Sequence, residues 1–236
     1  MKVIAIIPAR GGSKRIPRKN VINFMGKPMI AWTIEAAIKS EIFDKIIIST
    51  DSEEIAQVGR DYGLEVPFLR VDKNDDISPV SEATITTLKQ TEAYYNEKYD
   101  NVVQLMANAP MRDENDIKVQ YDEFVKNKRS FQISSFKFGW MNPWWAAKLD
   151  KDGSPNWLYP EGIVKRSQDL DDLFCPTGVI WIASIQKLIK SNTFYGPGHK
   201  FCEINWESAV DIDDYDDLEF AKAIYLLKSR NGSNKL

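Results

Sequence analysis

The chain has 236 residues, a formal charge of −3, 43% hydrophobic residues and 28% charged ones. That balance excludes intrinsic disorder, a collagen-like repeat and a disulfide miniprotein, and the length suits one large domain spanning 1–236. No apolar run approaches the roughly 20 residues of a membrane helix, Pro8 cuts the Val3–Ile7 run too short for a leader core, and two cysteines make neither a metal knuckle nor a disulfide framework, so a cytoplasmic chain with reduced Cys175 and Cys202 is expected.

Lys2–Pro8 is a continuous Val/Ile run and predicts a strand buried on both faces. A polar, glycine-containing loop follows from Ala9 to about Asn20. Ile30, Ile34, Ala37 and Ile38 then recur at helical spacing. Lys45–Ser49 is the next β-branched run, and Thr50-Asp51-Ser52 after it is a good N-cap sequence for a helix over 53–62. Glu65–Leu69 predicts a third strand, Ser81 caps a helix to about Glu97, and Asn101–Met106 predicts a fourth strand. Asp113 opens a helix with Ile117, Tyr121, Phe124 and Val125 on one face. Strands alternating with helices of this length imply a mainly parallel, doubly wound (Rossmann-like) α/β sheet.

The rhythm breaks after Ser135. Residues 136–176 hold Trp140, Trp144, Trp145 and Trp157, four of the seven tryptophans, with Pro143, Pro155 and Pro160 among them. An aromatic segment outside the sheet needs covering, so 137–172 is expected to be an inserted arm that a second copy buries. Thr177–Ala183 resumes the strands, the last helix spans about Tyr215–Lys228, and Asn231–Leu236 is expected to fray.

Charge is segregated along the chain. Residues 1–34 carry seven bases and no acid, whereas 203–219 carry eight acids and no base. Brought together in one domain, they suit a polyanion held between cations and a metal; chance clustering of surface charge is the other reading. The basic residues concentrate in Ala9-Arg10-Gly11-Gly12-Ser13-Lys14-Arg15-Ile16-Pro17-Arg18-Lys19-Asn20, beyond the carboxyl end of the first strand, where doubly wound sheets bind ligands. Gly11 and Gly12 let the backbone approach an anion, and turn N–H groups can cradle phosphate. The loop matches neither a Walker A sequence nor a G-x-G-x-x-G fingerprint. A solvated basic turn fits the same residues.

The run Ile7–Asn20 closely resembles the nucleotide-binding signature of the acylneuraminate cytidylyltransferases, which activate sialic acids and related nine-carbon keto-sugars with CTP. Phe24 with Gly26-Lys27-Pro28, Ser49-Thr50-Asp51, Val66-Pro67-Phe68-Leu69-Arg70 and Asp211-Ile212-Asp213 resemble further family motifs in the same order. The resemblance implies that Arg10 and Lys19 grip the CTP phosphates, with Gly11, Gly12, Ser13 and Lys14 in support. Asn20, Arg70 and Ser81 fall on cytidine-binding positions. Asp211 and Asp213 fall on metal-binding ones, and Mg2+ suits few carboxylates plus phosphate oxygens and water. Arg10, Lys19 and Asp211 are the implied catalytic residues. On the sugar side Arg166 aligns with an arginine that meets the acidic substrate, and Gln168 lies near it.

Three departures bear on the sugar. Met106 stands where sialic acid enzymes usually have a sugar-contacting Gln, Trp145 replaces a Lys near Pro143, and Cys175 replaces an Arg before the Pro176-Thr177-Gly178 turn. They favour a pseudaminic or legionaminic acid over N-acetylneuraminate. The implied activity is transfer of CMP from CTP to the keto-sugar, releasing pyrophosphate, by a homodimer without nucleic-acid or membrane partners. A cytidylyltransferase for another acidic sugar such as Kdo, or a non-catalytic nucleotide-binding regulator of the same fold, are the rivals. His199, the only histidine, fits a surface loop.

Overall fold

A computed structural model describes residues 1–70 and 80–233, with the main chain alone described for 230–233. The elements in order are β1 (Val3–Pro8), β2 (Asn23–Phe24), β3 (Lys27–Pro28), α1 (Met29–Ser40), β4 (Lys45–Ser49), α2 (Glu53–Asp61), α3 (Val80–Tyr95), β5 (Asn101–Leu105), α4 (Glu114–Lys126) and β6 (Phe131–Lys137). They continue as β7 (Ala147–Leu149), β8 (Pro155–Trp157), α5 (Pro160–Ile163), β9 (Phe174–Ser184), α6 (Ile185–Ser191), β10 (Lys200–Glu203) and α7 (Tyr215–Ser233).

Six strands form the main sheet in the order β10-β6-β9-β5-β1-β4. β1 lies parallel to β4 and β5, β10 lies parallel to β6, and β9 runs antiparallel between β5 and β6. The Val/Ile run of β1 is buried along its whole length. Its side chains alternate between two cores, as the pleat requires. Val3, Ala5 and Ile7 pack with Ile30 and Ile34 of α1, Ile55 of α2, and Ile117 and Phe124 of α4. Ile4 and Ile6 pack on the other face with Ile85 and Leu88 of α3 and Leu188 of α6. Helices thus cover both faces of a mostly parallel sheet. Ser52 accepts a hydrogen bond from the Ile55 N–H at the start of α2, and Asp113 caps α4 with a reciprocal bond from its own N–H to Asp116.

A third, smaller core lies beside the basic loop. Ile16, Phe24, Met29, Met111, Ile212, Leu218, Ala221 and Ile224 are buried in it. The hairpin of β2 and β3 reaches it through a turn in which Met25 and Gly26 both have positive φ, 51° and 100°, the geometry of a two-residue hairpin turn. The rings of Phe24, Trp32 and Tyr225 meet edge to face at centroid distances of 5.2–6.1 Å. This core therefore ties the hairpin, α1 and α7 together.

Four expectations need correction. Glu65–Leu69 is no strand: among the described residues it joins no ladder, Pro67 having no N–H to give, and the segment is held by the Arg70 N–H on the Thr50 carbonyl (2.7 Å). Ser81 sits inside the first turn of α3 rather than at its cap, and the residues before Val80 lie outside those described. Val125 of α4 is exposed, its side of the helix facing solvent, while Gln120 joins Ile117 and Phe124 inside. Residues 231–233 continue α7 instead of fraying; 234–236 lie outside the described residues. In the aromatic segment, β7 and β8 pair only with each other. Trp144 packs on Tyr159 at 5.2 Å and donates its indole N–H to the Asp171 carbonyl. Trp140 and Val164 stay 83% and 86% exposed. No helix among the described residues is long and apolar enough to cross a membrane.

Removing the central ring of the third core tests its weight. Phe24→Ala should lower stability by about 3–5 kcal/mol, the cost of emptying a buried aromatic site, read from the midpoint of urea denaturation at unchanged slope.

Candidate active site

The basic loop leaves β1 and turns back at once. The Gly11 N–H donates to Asp51 Oδ1 at 2.8 Å, and a Cβ added to Gly11 would stand 3.0 Å from that of Ser52. Only glycine allows the loop to lie so close to the turn after β4. Gly12, by contrast, faces open space. Ile16 is driven into the third core, which anchors the middle of the loop. Arg18 takes a left-handed conformation (φ 56°) and turns outward to form a two-point ion pair with Glu54 of α2. Asn20 is buried, and its amide donates to the Arg10 carbonyl at 3.0 Å, closing the loop end to end.

What remains is a cleft of about 320 Å³ lined by Arg10, Ser13, Lys14, Arg15, Lys19, Asn20 and Asp213. Six of the seven come from the basic loop and one from the acidic segment 193 or more residues away. The join is made by Lys19, whose ammonium donates to the Ile212 carbonyl and to Asp213 Oδ1, both at 2.8 Å. Arg15 adds a 2.7 Å ion pair to the other oxygen of Asp213. Arg15 was not singled out as a site residue by the sequence, although it lies inside the basic run.

The acidic segment is not a strand. Its N–H groups serve α7 instead: those of Asp213 and Asp214 go to the Asp217 carboxylate, and Asp214 accepts from the N–H groups of Asp216 and Asp217. The segment is held from the other side by Asn108, in the loop after β5. The Ile212 N–H donates to the Asn108 carbonyl (2.9 Å), and the Asn108 amide donates back to the Ile212 carbonyl (2.9 Å). Ile212 is fully buried between the two aspartates.

The two carboxyls differ in character. Asp211 is surface-exposed as a residue, yet the protein mass around its carboxyl, with the charges of Asp213 and Asp217, pushes it above the usual carboxylate range. Burial acts the same way on Asp213, but Lys19 and Arg15 outweigh it and hold that carboxyl below the usual range. Burial, and then the charge of Asp211, also pushes the Cys175 thiol up. Cys175, at the start of β9, is thereby a neighbour of the acidic segment.

The other residues singled out from the sequence are spread more widely. Arg70 donates to the Ser49 hydroxyl at the end of β4 (3.2 Å), which also accepts from Thr87 of α3. Ser81 is buried and accepts from the Phe194 N–H at 3.4 Å. Met106 follows β5 and packs on β9, where a Cβ on Gly178 would stand 3.2 Å from it. None of these three lines the cleft. Arg166 is a largely exposed side chain paired with Asp169 (2.8 Å), with Gln168 exposed beside it; the cleft residues do not include them either. His199 lies in a turn, its Nδ1 3.1 Å from the Gly196 carbonyl and its ring between Tyr195 and Phe201. Arg112, which the sequence reading passed over, is fully buried and bonds the Val179 carbonyl (2.8 Å), the Thr33 hydroxyl (2.7 Å) and the Met106 carbonyl (3.5 Å). Burial pushes it down to about 10 against the opposing charges of Asp116 and Asp113.

The arrangement, a glycine turn, four cations and the Asp213 carboxylate beyond the end of β1, is able to hold a polyphosphate; Asp211 is not among the cleft residues. Comparison with known proteins bears on its chemistry. A family model described as Cytidylyltransferase matches residues 4–141. A pseudaminic acid cytidylyltransferase of Campylobacter jejuni subsp. jejuni serotype O:23/36 is 37% identical over 95% of this chain and 97% of its own length. A CMP-N,N'-diacetyllegionaminic acid synthase of Legionella pneumophila is 34% identical over 90% of this chain and 91% of its own. Among solved structures, a CMP:2-keto-3-deoxy-manno-octonic acid synthetase complexed with CTP is alike in fold, with a TM-score of 0.69 at 15% identity, covering 97% of this chain and all of that one.

The contrast between the two aspartates has a sign that stability measurements read. A carboxyl raised on folding stabilises the fold in acid, and that contribution is lost as pH rises through its folded value; a lowered carboxyl does the reverse. At neutral pH in chelator, Asp211→Asn should therefore raise the melting temperature. Asp213→Asn should lower it, by a margin that shrinks as pH falls through the range where Asp213 protonates. Thermal scans of both variants between acid and neutral pH check the pair.

Proposed function

Because this chain belongs to the cytidylyltransferase family, we propose that it transfers CMP from CTP to the anomeric hydroxyl of a nine-carbon acidic keto-sugar of the pseudaminic or legionaminic type. The bond formed joins the anomeric oxygen to the α-phosphorus, and the bond broken releases pyrophosphate. The observation that carries this reading is the cleft in which Arg10, Lys14, Arg15 and Lys19 converge with Asp213 beyond the end of β1. A nucleoside triphosphate needs that many cations, and the loop amides around Gly12 add donors for its oxygens.

In this reading Arg10 and Lys19 hold the triphosphate and take up the charge that develops on the leaving pyrophosphate, with Ser13 and Lys14 beside them. Arg offers a fork to phosphate oxygens, and Lys a point charge able to follow a departing group. Asn20 and Arg70 read the cytosine edge, and Ser81 lines that side. Asp211 and Asp213 would hold Mg2+. Burial first, and then the charge of Asp213, raise the Asp211 carboxyl, an environment that a divalent cation relieves, and two carboxylates leave room for phosphate and water ligands. When bound, that cation supplies charge neutralisation at the phosphates. Most of the remaining catalysis is positioning and electrostatic stabilisation.

The sugar side rests on Met106, Arg166 and Gln168. The apolar Met106 against β9, and Cys175 in place of an arginine, suit deoxy carbons and acylamino groups better than a polyhydroxylated chain. Arg166 is displayed at the surface, not among the cleft residues of its own chain, on the same segment as the exposed Trp140 and Val164. A homodimer in which 137–172 packs on a second copy would cover these side chains and carry Arg166 to a sugar. Aromatic and arginine anchors of this kind are typical of such interfaces.

Pyrophosphate release with Mg2+ tests the reading. CTP should be used and UTP rejected, since amide and guanidinium groups set for cytosine are left unpaired against uracil. Pseudaminic or legionaminic acid should outrun N-acetylneuraminate and Kdo. Arg10→Ala should lower turnover by roughly 10²–10³, as for loss of one charge-stabilising donor. Equal rates with UTP, or full turnover in Arg10→Ala at saturating CTP, would remove these assignments.

The dimer has its own check in native mass spectrometry. At micromolar concentration the chain should weigh in as a dimer, and Trp140→Glu combined with Val164→Glu should yield monomers that still bind CTP. A fully active monomer would contradict the arrangement.

A further inference from the structure

We infer that Asn108 is a positioning residue for the acidic segment, setting Asp211 and Asp213 against the basic loop. The inference rests on the functional reading above for what those aspartates do, and on geometry alone for how they are held.

Asn108 is 4% exposed and stands in the loop between β5 and α4. It grips Ile212 as a strand partner would, accepting from the Ile212 N–H with its own carbonyl, but the return bond comes from its side-chain amide. The same amide group lies 3.5 Å from Asp213 Oδ1. The Ile212 carbonyl thus accepts from two side chains, Asn108 on one side and Lys19 on the other. Both hold the one residue that separates the two aspartates. With no strand ladder, the segment depends on such side-chain bonds, together with the Asp217 cap and the burial of Ile212, to hold its carboxylates to the tolerance that charge stabilisation demands.

Asn108 is itself on rigid ground. Arg112, four residues on, locks the same loop to β9 through the Val179 carbonyl and to α1 through Thr33. Ala107 and Ala109 on either side are buried in the sheet core. The anchor therefore cannot follow the acidic segment if that segment shifts. An apolar side chain of similar size at 108 would leave the Ile212 carbonyl with one donor fewer and Asp213 without its neutral neighbour.

Asn108→Asp keeps the side chain's shape and replaces the donor by an oxygen facing the Ile212 carbonyl and the Asp213 carboxylate. Asn108→Ala removes the donor without adding charge and carries the test if the aspartate variant folds poorly. Loss of groups that orient a metal's ligands typically costs 10–100-fold in affinity or activity. In Asn108→Ala, Mn2+ binding in the presence of CTP should therefore weaken about tenfold or more, and kcat should fall by a similar factor, with KM for the keto-sugar within about twofold. Amide exchange at Ile212 should quicken as the segment opens more often, while exchange at Ile4 in β1 stays at the wild-type rate. Wild-type exchange at Ile212 overturns the inference, and so does quickened exchange with unchanged kcat and Mn2+ affinity. Exchange at Ile212 and Ile4 rising together also overturns it, since that marks general destabilisation. The exchange arm needs no substrate. A wild-type chain that releases no pyrophosphate with any nonulosonic acid defeats the functional reading, and the exchange result still decides how Asn108 holds the segment.

Discussion

One lysine joins the two ends of the chain. Lys19, with its side chain 14% exposed, donates to the Ile212 carbonyl and the Asp213 carboxylate, 193 and 194 residues away. The contact is possible because Ile16 and Ile212 are buried in the same small core, so the basic loop and the acidic segment share one foundation. Without that core, two strongly charged stretches would have to be held by surface ion pairs alone, which are weak and screened by salt. With it, they become opposite walls of one cleft. Asp213 is also the internal counter-ion of Lys19 and Arg15. It keeps a dense cationic loop tolerable in the free chain, and a polyphosphate entering the cleft competes for the same donors.

The sheet supplies direction. β1, β4 and β5 run parallel, so the turns after them lie at one edge: the basic loop after β1, Asp51 and Ser52 after β4, and Asn108 after β5. Each contributes one tie, and the ties are polar because a turn has no ladder of its own. Arg112 shows what such bracing costs. A guanidinium fully inside the protein, with no carboxylate bonded to it among the described residues and its Nε unpartnered, is tolerated because its other nitrogens satisfy carbonyls of two separate elements and a hydroxyl of a third.

The periodic parts of the fold are legible in the sequence. β1, α1, β4, α2, β5 and α4 follow from apolar runs, 3.6-residue spacing and caps such as Ser52 and Asp113. Elements decided by competition for backbone N–H groups are not legible. Glu65–Leu69 has strand composition, but Pro67 removes a donor, and in the acidic segment Asp213 and Asp214 give their N–H groups to Asp217 of α7 while Ile212 gives its own to Asn108. The antiparallel setting of β9 was equally hidden, since a strand buried on both faces has the same composition in either direction. At the site, Arg10, Ser13, Lys14, Lys19, Asn20 and Asp213 do line one cleft. A run of five cations does not say which of them face inward, so Arg15 was missed and Arg18 is turned to Glu54. Asn108 and Arg112 left one faint signal, polar side chains inside an otherwise apolar stretch.

The central claim is that Lys19 and Asp213 couple the basic loop to the acidic segment, and a double-mutant cycle measures it directly. Unfolding free energies of the wild type, Lys19→Met, Asp213→Asn and the double variant give the interaction term. The account predicts a coupling of about 1 kcal/mol or more, within the range for contacting residues of one polar network. Additive single effects, with no coupling beyond the error of the measurement, would contradict it.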